Sequence, residues 1–90
     1  MSDIPEGAVG KVADYFWKRE VVRIKVLDGE IDAGDQIDIR GEFSDVSTTV
    51  EEMEIDDDPV NKAEAGDTFA MPLPMSKRVM LGDYVFPSDS

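Results

Sequence analysis

The sequence predicts an all-β chain of short strands. Apolar residues alternate with polar ones at a period of two over several stretches, and a helical period of 3.6 is scarcely present. Turn-forming Gly-Asp, Asp-Gly and Pro residues interrupt these stretches every few residues. Ninety residues suffice for one domain with one modest core and leave no room for a second, so residues 1–90 are expected to form a single domain. Its ordered part should span about 8–86, with frayed tails at either end.

In "EVVRIKVLDG", Val22, Ile24 and Val26 share one face of a strand, while Val21, Arg23, Lys25 and Leu27 take the other. Asp28-Gly29 suits a type I′ turn, after which Glu30-Ile31-Asp32 is expected to start the chain back as a hairpin. Ala33-Gly34-Asp35 is the next turn. "QIDIRG" follows with Ile37 and Ile39 inward and Gly41 as its stop. Residues 42–47 read as a loop. In "TTVEEMEI", Val50, Met53 and Ile55 reach one face only if a β-bulge near Glu51-Glu52 absorbs the irregular spacing; a short amphipathic helix is the competing reading, and the β-branched start favours a strand.

Asp56-Asp57-Asp58-Pro59 ends that element, and "VNKAEAGD" reads as a turn leading to Gly66-Asp67. "TFAMPL" sets Phe69, Met71 and Leu73 on one side, with Pro72 and Pro74 confining it to an edge or a strand end. "RVMLGDYVF" is expected to supply a final strand pair, and "PSDS" a frayed tail. The Gly-Asp dipeptide occurs three times, at Gly34-Asp35, Gly66-Asp67 and Gly82-Asp83, each before an alternating run. There the Gly supplies a tight turn, and the Asp side chain can bond back to the turn's own amides.

Composition narrows the chemistry. With neither cysteine nor histidine, the chain lacks disulfides, thiolate ligands, the usual zinc ligand and the usual general base at neutral pH. "GAVGKV" fails as a phosphate-binding loop, because the first Gly of that motif would fall at Pro5 and Val12 stands where a hydroxyl is needed. "DGEIDAGDQIDI" spaces acids like an EF-hand but has Ala33 for its Gly and Ile39 for its bidentate acid. The Asp56–Asp58 triplet reads as a solvated loop. No enzymatic activity, metal site or cofactor is expected. No basic-then-apolar leader and no apolar run near the ~20 residues of a membrane span are present, so a cytoplasmic, non-membrane location is the expectation.

Nine Lys and Arg stand against 21 Asp and Glu, a net charge of −12 that repels nucleic acid at long range and suits solubility in a salty medium. Residues 11–25 differ, with five cations against Asp14 and Glu20. Within them, Tyr15-Phe16-Trp17-Lys18-Arg19 places three aromatics beside two cations, residue types that stack on bases and meet phosphates. Tyr15 and Phe16 serve equally as core residues; Trp17, at a loop, is not needed to fill one. Lys11, Trp17, Lys18, Arg19, Arg23 and Lys25 are therefore the candidate binding residues.

Taken in order, "VGKVADYFWKREVVRIKVLDGEIDAGDQIDIRG", "TTVEEMEIDDDPVNKAEAGD" and "RVMLGDYVF" resemble the second domain of translational GTPases of the elongation factor Tu type, and small stand-alone elongation factor-like proteins. The matched positions are Gly10 and Val12; Gly34, Asp35 and Gly41; Val50 and Met53; Ala63, Ala65, Gly66 and Asp67; and Gly82, Asp83 and Val85. Ala13-Asp14 departs from the Thr-His of small relatives, and "AMPL" from their Gly-bearing strand. The resemblance implies a small closed barrel of six or seven strands, without GTP binding. It implies a module that binds tRNA, the ribosome, or a protein of the translation or tRNA-modification machinery. Such barrels also accompany RNA-modifying and peptidase-like proteins, so an acidic module that docks on a partner enzyme is the alternative.

Overall fold

The computed structural model describes residues 4–88. The described residues form ten strands: β1 Gly10–Phe16, β2 Val21–Val26, β3 Glu30–Asp32, β4 Gln36–Arg40, β5 Asp45–Thr49, β6 Met53–Ile55, β7 Asp58–Val60, β8 Lys62–Glu64, β9 Thr68–Pro72 and β10 Tyr84–Pro87. Eight of them pair antiparallel in the order β5-β4-β10-β1-β2-β9-β6-β7, and β3 with β8 makes a separate ribbon. The class is all-β. The expected closure into a barrel of six or seven strands is not present in this ladder, whose order ends at β5 on one side and β7 on the other. β6 is three residues long and meets β9 at one pair, Glu54 with Ala70, and β7 contains Pro59, which lacks an amide proton; neither can carry the ladder across to β5.

Alternation sets the interior. Val22, Ile24 and Val26 of β2, Ile37 and Ile39 of β4, and Phe69 and Met71 of β9 are all buried. They form one cluster with Val12, Val50, Met53, Leu73, Val79 and Val85, and Ile31 and Ala63 add the ribbon's inner face to it. Burying a side chain of this kind contributes about 1.5–3 kcal/mol, so these residues supply most of the driving force for folding.

The Asp28-Gly29 hairpin does not form. Gly29 has φ +67° but Asp28 is not left-handed, as a type I′ turn requires, and β3 pairs with β8 instead of returning along β2. The type I′ pair lies at Asp56 and Asp57, with φ +52° and +68°, closing the β6–β7 hairpin. The acidic triplet is thus a tight turn. Residues 45–49, placed partly in a loop by sequence, form β5 against β4. Val50 then leaves the sheet's ladder: its amide donates to Asp35 O (2.8 Å) and its carbonyl accepts from Gly34 N (2.6 Å), which separates β5 from β6 where a bulge was expected. "VNKAEAGD" holds strand β8, and "RVMLGDYVF" supplies one strand, β10, after a loop anchored by buried Val79. Pro72 closes β9 opposite Val21, at a strand end. Of the expected tails, Pro87 pairs with Ile37 and Ser88 N bonds Gln36 O, so both belong to the fold; residues 1–3, 89 and 90 lie outside the described residues.

The three Gly-Asp turns share one geometry. Asp35, Asp67 and Asp83 each accept, through Oδ2, from the amide three residues earlier, at Asp32, Glu64 and Met80 (2.9, 2.9 and 2.8 Å). Each also donates its own amide to that residue's carbonyl. Gly34, Gly66 and Gly82 take φ of +96°, +97° and +90°, where a side chain would be strained. Each turn then clasps a buried valine. The Gly amide donates to the valine's carbonyl while the valine's amide donates to the Asp carbonyl, at Val50, Val26 and Val12 respectively. Three local turns are thereby tied to three distant buried valines, two in strands and Val50 between β5 and β6.

Candidate interaction surfaces

β1 carries an irregularity that decides which aromatics are exposed. Its register with β2 runs Val12 opposite Ile24 and then Asp14 opposite Arg23, so Ala13 is an extra, bulged residue. A one-residue insertion inverts the facing of everything beyond it. Tyr15, opposite buried Val22, turns inward and packs on the core; Phe16, opposite Val21, is 40% exposed. The Tyr15 hydroxyl is buried, with no hydrogen-bond partner among the described residues. Strict alternation from Val12 would have placed Asp14 and Phe16 inside.

The six candidate binding residues fall into two groups. Lys11 and Lys25 sit opposite each other on the outer face of β1 and β2, with Lys11 over the Tyr84 ring (5.7 Å); Arg23, on the same face, pairs with Asp14 (3.4 Å). Trp17, Lys18 and Arg19 form the β1–β2 turn. Trp17 is 52% exposed, with the Lys18 ammonium 5.3 Å from its ring, and the Arg19 guanidinium lies 6.0 Å from Phe16. The structure brings these into one turn and one strand face; Arg19 and Arg23 line one groove, and Lys11, Trp17, Lys18 and Lys25 lie outside it.

Two features escaped the reading of the sequence. The first is an apolar end. Gly41 lies so close to Asp83 that a methyl group there would overlap the carboxylate, which places the β4–β5 loop beside the loop before β10. Phe43 (78% exposed), Leu81 (66%) and Met80 are carried on these two adjacent loops. Phe43, a lone apolar residue in "GEFSD", was the available signal, whereas Met80 and Leu81 continue from Val79 in a run that reads as strand.

The second is a groove of about 1210 Å³, open to solvent, at the unclosed side of the sheet. Ser47, Thr48 and Thr49 of β5 line one wall, and Arg23, Ala70 and Pro72 of β2 and β9 line another. Buried Ile37, Met71 and Leu73 reach its base. Its end is acidic, formed by Glu51, Glu52, Glu54, Asp56 and Asp57. No salt bridge engages any of these five among the described residues, although Asp14, Glu30, Asp38 and Asp45 are each paired. Among the described residues no acidic cluster converges in a way that could hold a metal ion, and no helix is long and apolar enough to cross a membrane.

No protein-family model matches the sequence, and no curated protein matches it. Solved structures do. The chain resembles the C-terminal domain of a protein assigned as a U32 peptidase in Geobacillus thermoleovorans, with a TM-score of 0.84 at 11% identity over 99% of this chain and 100% of that one. The selenomethionine variant of the same domain gives 0.77 at 12% identity, over 88% and 96% of the two chains. Likeness at this identity establishes a shared small all-β fold. Neither structure is a translation factor, so the resemblance to the elongation factor barrel is supported only as far as that class of fold.

Proposed function

We propose that this chain is a non-catalytic docking module for a peptidase-like protein, which it meets through the apolar end formed by Phe43, Met80 and Leu81. The observation that carries the reading is the end-to-end likeness to a domain that accompanies a peptidase, over a chain with no histidine or cysteine and, among the described residues, no acidic group that could hold a metal ion. Three large apolar side chains at least half exposed on two touching loops are the kind of surface that a partner covers. Aromatic anchors at such a surface commonly contribute about 2 kcal/mol or more each. An acidic body suits recognition of a basic or neutral partner.

RNA binding has narrower support. It rests on the exposed turn of Trp17, Lys18 and Arg19, since Arg23 is already paired with Asp14 and the rest of the molecule is strongly acidic. Capture from nuclease-treated extract of the protein's own cells, with partners identified by mass spectrometry, separates the two. A peptidase-like protein should be retained by the wild-type chain and lost with Phe43→Asp plus Leu81→Asp. Retention of ribosomal proteins or RNA alone, or equal retention of the peptidase-like protein by the double variant, would refute the docking role.

A further inference from the structure

We propose that the groove beside β5 receives an extended peptide segment bearing lysine or arginine, which adds to the sheet as a further strand. This does not depend on the apolar end, which lies on other loops. β4 engages only alternate backbone groups of β5. Val50 turns both its amide and its carbonyl toward the Gly34-Asp35 turn that leads into β4. Backbone groups of alternate residues in a strand point to opposite sides. Val46 and Thr48 therefore bond to β4, and the amides and carbonyls of Asp45, Ser47 and Thr49 point the other way, into the opening. The Ser47 carbonyl verifies this phase, since it accepts from Lys77 Nζ at 2.7 Å from outside the sheet.

Outward amides and carbonyls are a template for another strand, and those of Ser47 and Thr49 form the wall of a groove and not an open flank, with the Ser47 carbonyl held by Lys77. The stretch 47–49 that lines the groove spans about 10 Å, enough to register a short extended segment. Charge selects the occupant. The acidic end supplies five carboxylates without ion-pair partners, against Arg19, Arg23 and Lys77. Arg23 is committed to Asp14, and Lys77 to the edge itself. Lys77 also shows the preference directly: the chain's own lysine lies on the carbonyl that an incoming strand would use.

The test is fluorescence anisotropy with a labelled octapeptide of alternating Lys and Val, at low and moderate salt. Its comparisons are the Glu/Val counterpart and a Lys/Val peptide N-methylated on alternate amides. Saturable binding of the Lys/Val peptide alone is expected. Glu51→Gln, Glu52→Gln and Glu54→Gln together should weaken it about tenfold. Lys77→Ala frees the edge and should strengthen it by about threefold. Thr49→Pro removes an outward amide without touching the β4 ladder, and should abolish binding while leaving the urea midpoint nearly unchanged. Should that variant not fold, the N-methylated peptide poses the same question with the protein intact. Binding of the N-methylated peptide as tight as that of its parent would reduce the effect to charge adsorption and overturn the proposal. So would no binding by either wild type or Lys77→Ala, which would make Lys77 a plain cap on the edge, or preferential binding of a polyuridine RNA.

Discussion

The three aspartates of the Gly-Asp turns make the same hydrogen bond in three environments, which allows its contribution to be separated from its surroundings. Asp35 is exposed, Asp67 half-buried, and Asp83 only 6% exposed. Replacing each by Ala removes a charged acceptor from a backbone amide at 2.8–2.9 Å. At Asp35, water takes its place, and the loss should be about 0.5–1 kcal/mol; at Asp83, the Met80 amide is left without a partner, and about 2–3 kcal/mol should be lost. Against the roughly 5–13 kcal/mol available to a domain of this size, the second is a large share. Gly41 sharpens the test, because a methyl group there collides with the Asp83 carboxylate. Gly41→Ala alone should cost about 1–3 kcal/mol through overpacking. In the Asp83→Ala background that cost should vanish, giving a coupling of at least about 1 kcal/mol. Urea denaturation of the four chains, with midpoints compared at a common slope, measures it. Equal losses at Asp35 and Asp83, or additivity of Gly41→Ala with Asp83→Ala, would show that the turn geometry does not govern stability in the way described.

Other substitutions probe separate features. Tyr15→Phe removes a buried hydroxyl that has no partner among the described residues, and should leave stability unchanged or raise it by up to about 1 kcal/mol in the same denaturation assay. Asp57→Gly places the residue best suited to φ +68° in the β6–β7 turn, and should raise the thermal midpoint by a few degrees, about 0.5 kcal/mol. Phe69→Ala, at the centre of the core, should lose about 3–5 kcal/mol and leave little folded protein at 37 °C. Arg23→Ala breaks a pair in which both side chains are almost half exposed, and should change stability by less than about 0.5 kcal/mol.

Much of the fold was legible in the order of residues. The inward sets Val22, Ile24, Val26 and Ile37, Ile39 follow from period two alone, and the Gly-Asp turns from the need for a positive φ followed by an acceptor. These are properties of a few adjacent residues. Glu30–Asp32 shows where such reading stops. Local chemistry favoured a hairpin at Asp28-Gly29, but pairing with residues 62–64 buries Ile31 and Ala63 against the core, and that gain is invisible to any short window. The candidate binding residues divided in the same way. The exposed Trp17, Lys18 and Arg19 were evident as a type of turn, whereas Ala13 had to bulge before Phe16 could face outward.

By itself, the sequence determined an all-β chain, its principal inward faces, and a chain without histidine or cysteine. Alternation, turn chemistry and composition are local or global sums that no partner strand can alter. Only the tertiary structure decided that the sheet stays open between β5 and β7, that Phe43 and Leu81 lie on touching loops, and that five acids gather at the end of a groove. Each of these depends on which distant backbone groups pair, above all on Val50 bonding to the Gly34-Asp35 turn instead of continuing a strand. That choice is made by the summed burial and hydrogen bonding of the whole chain.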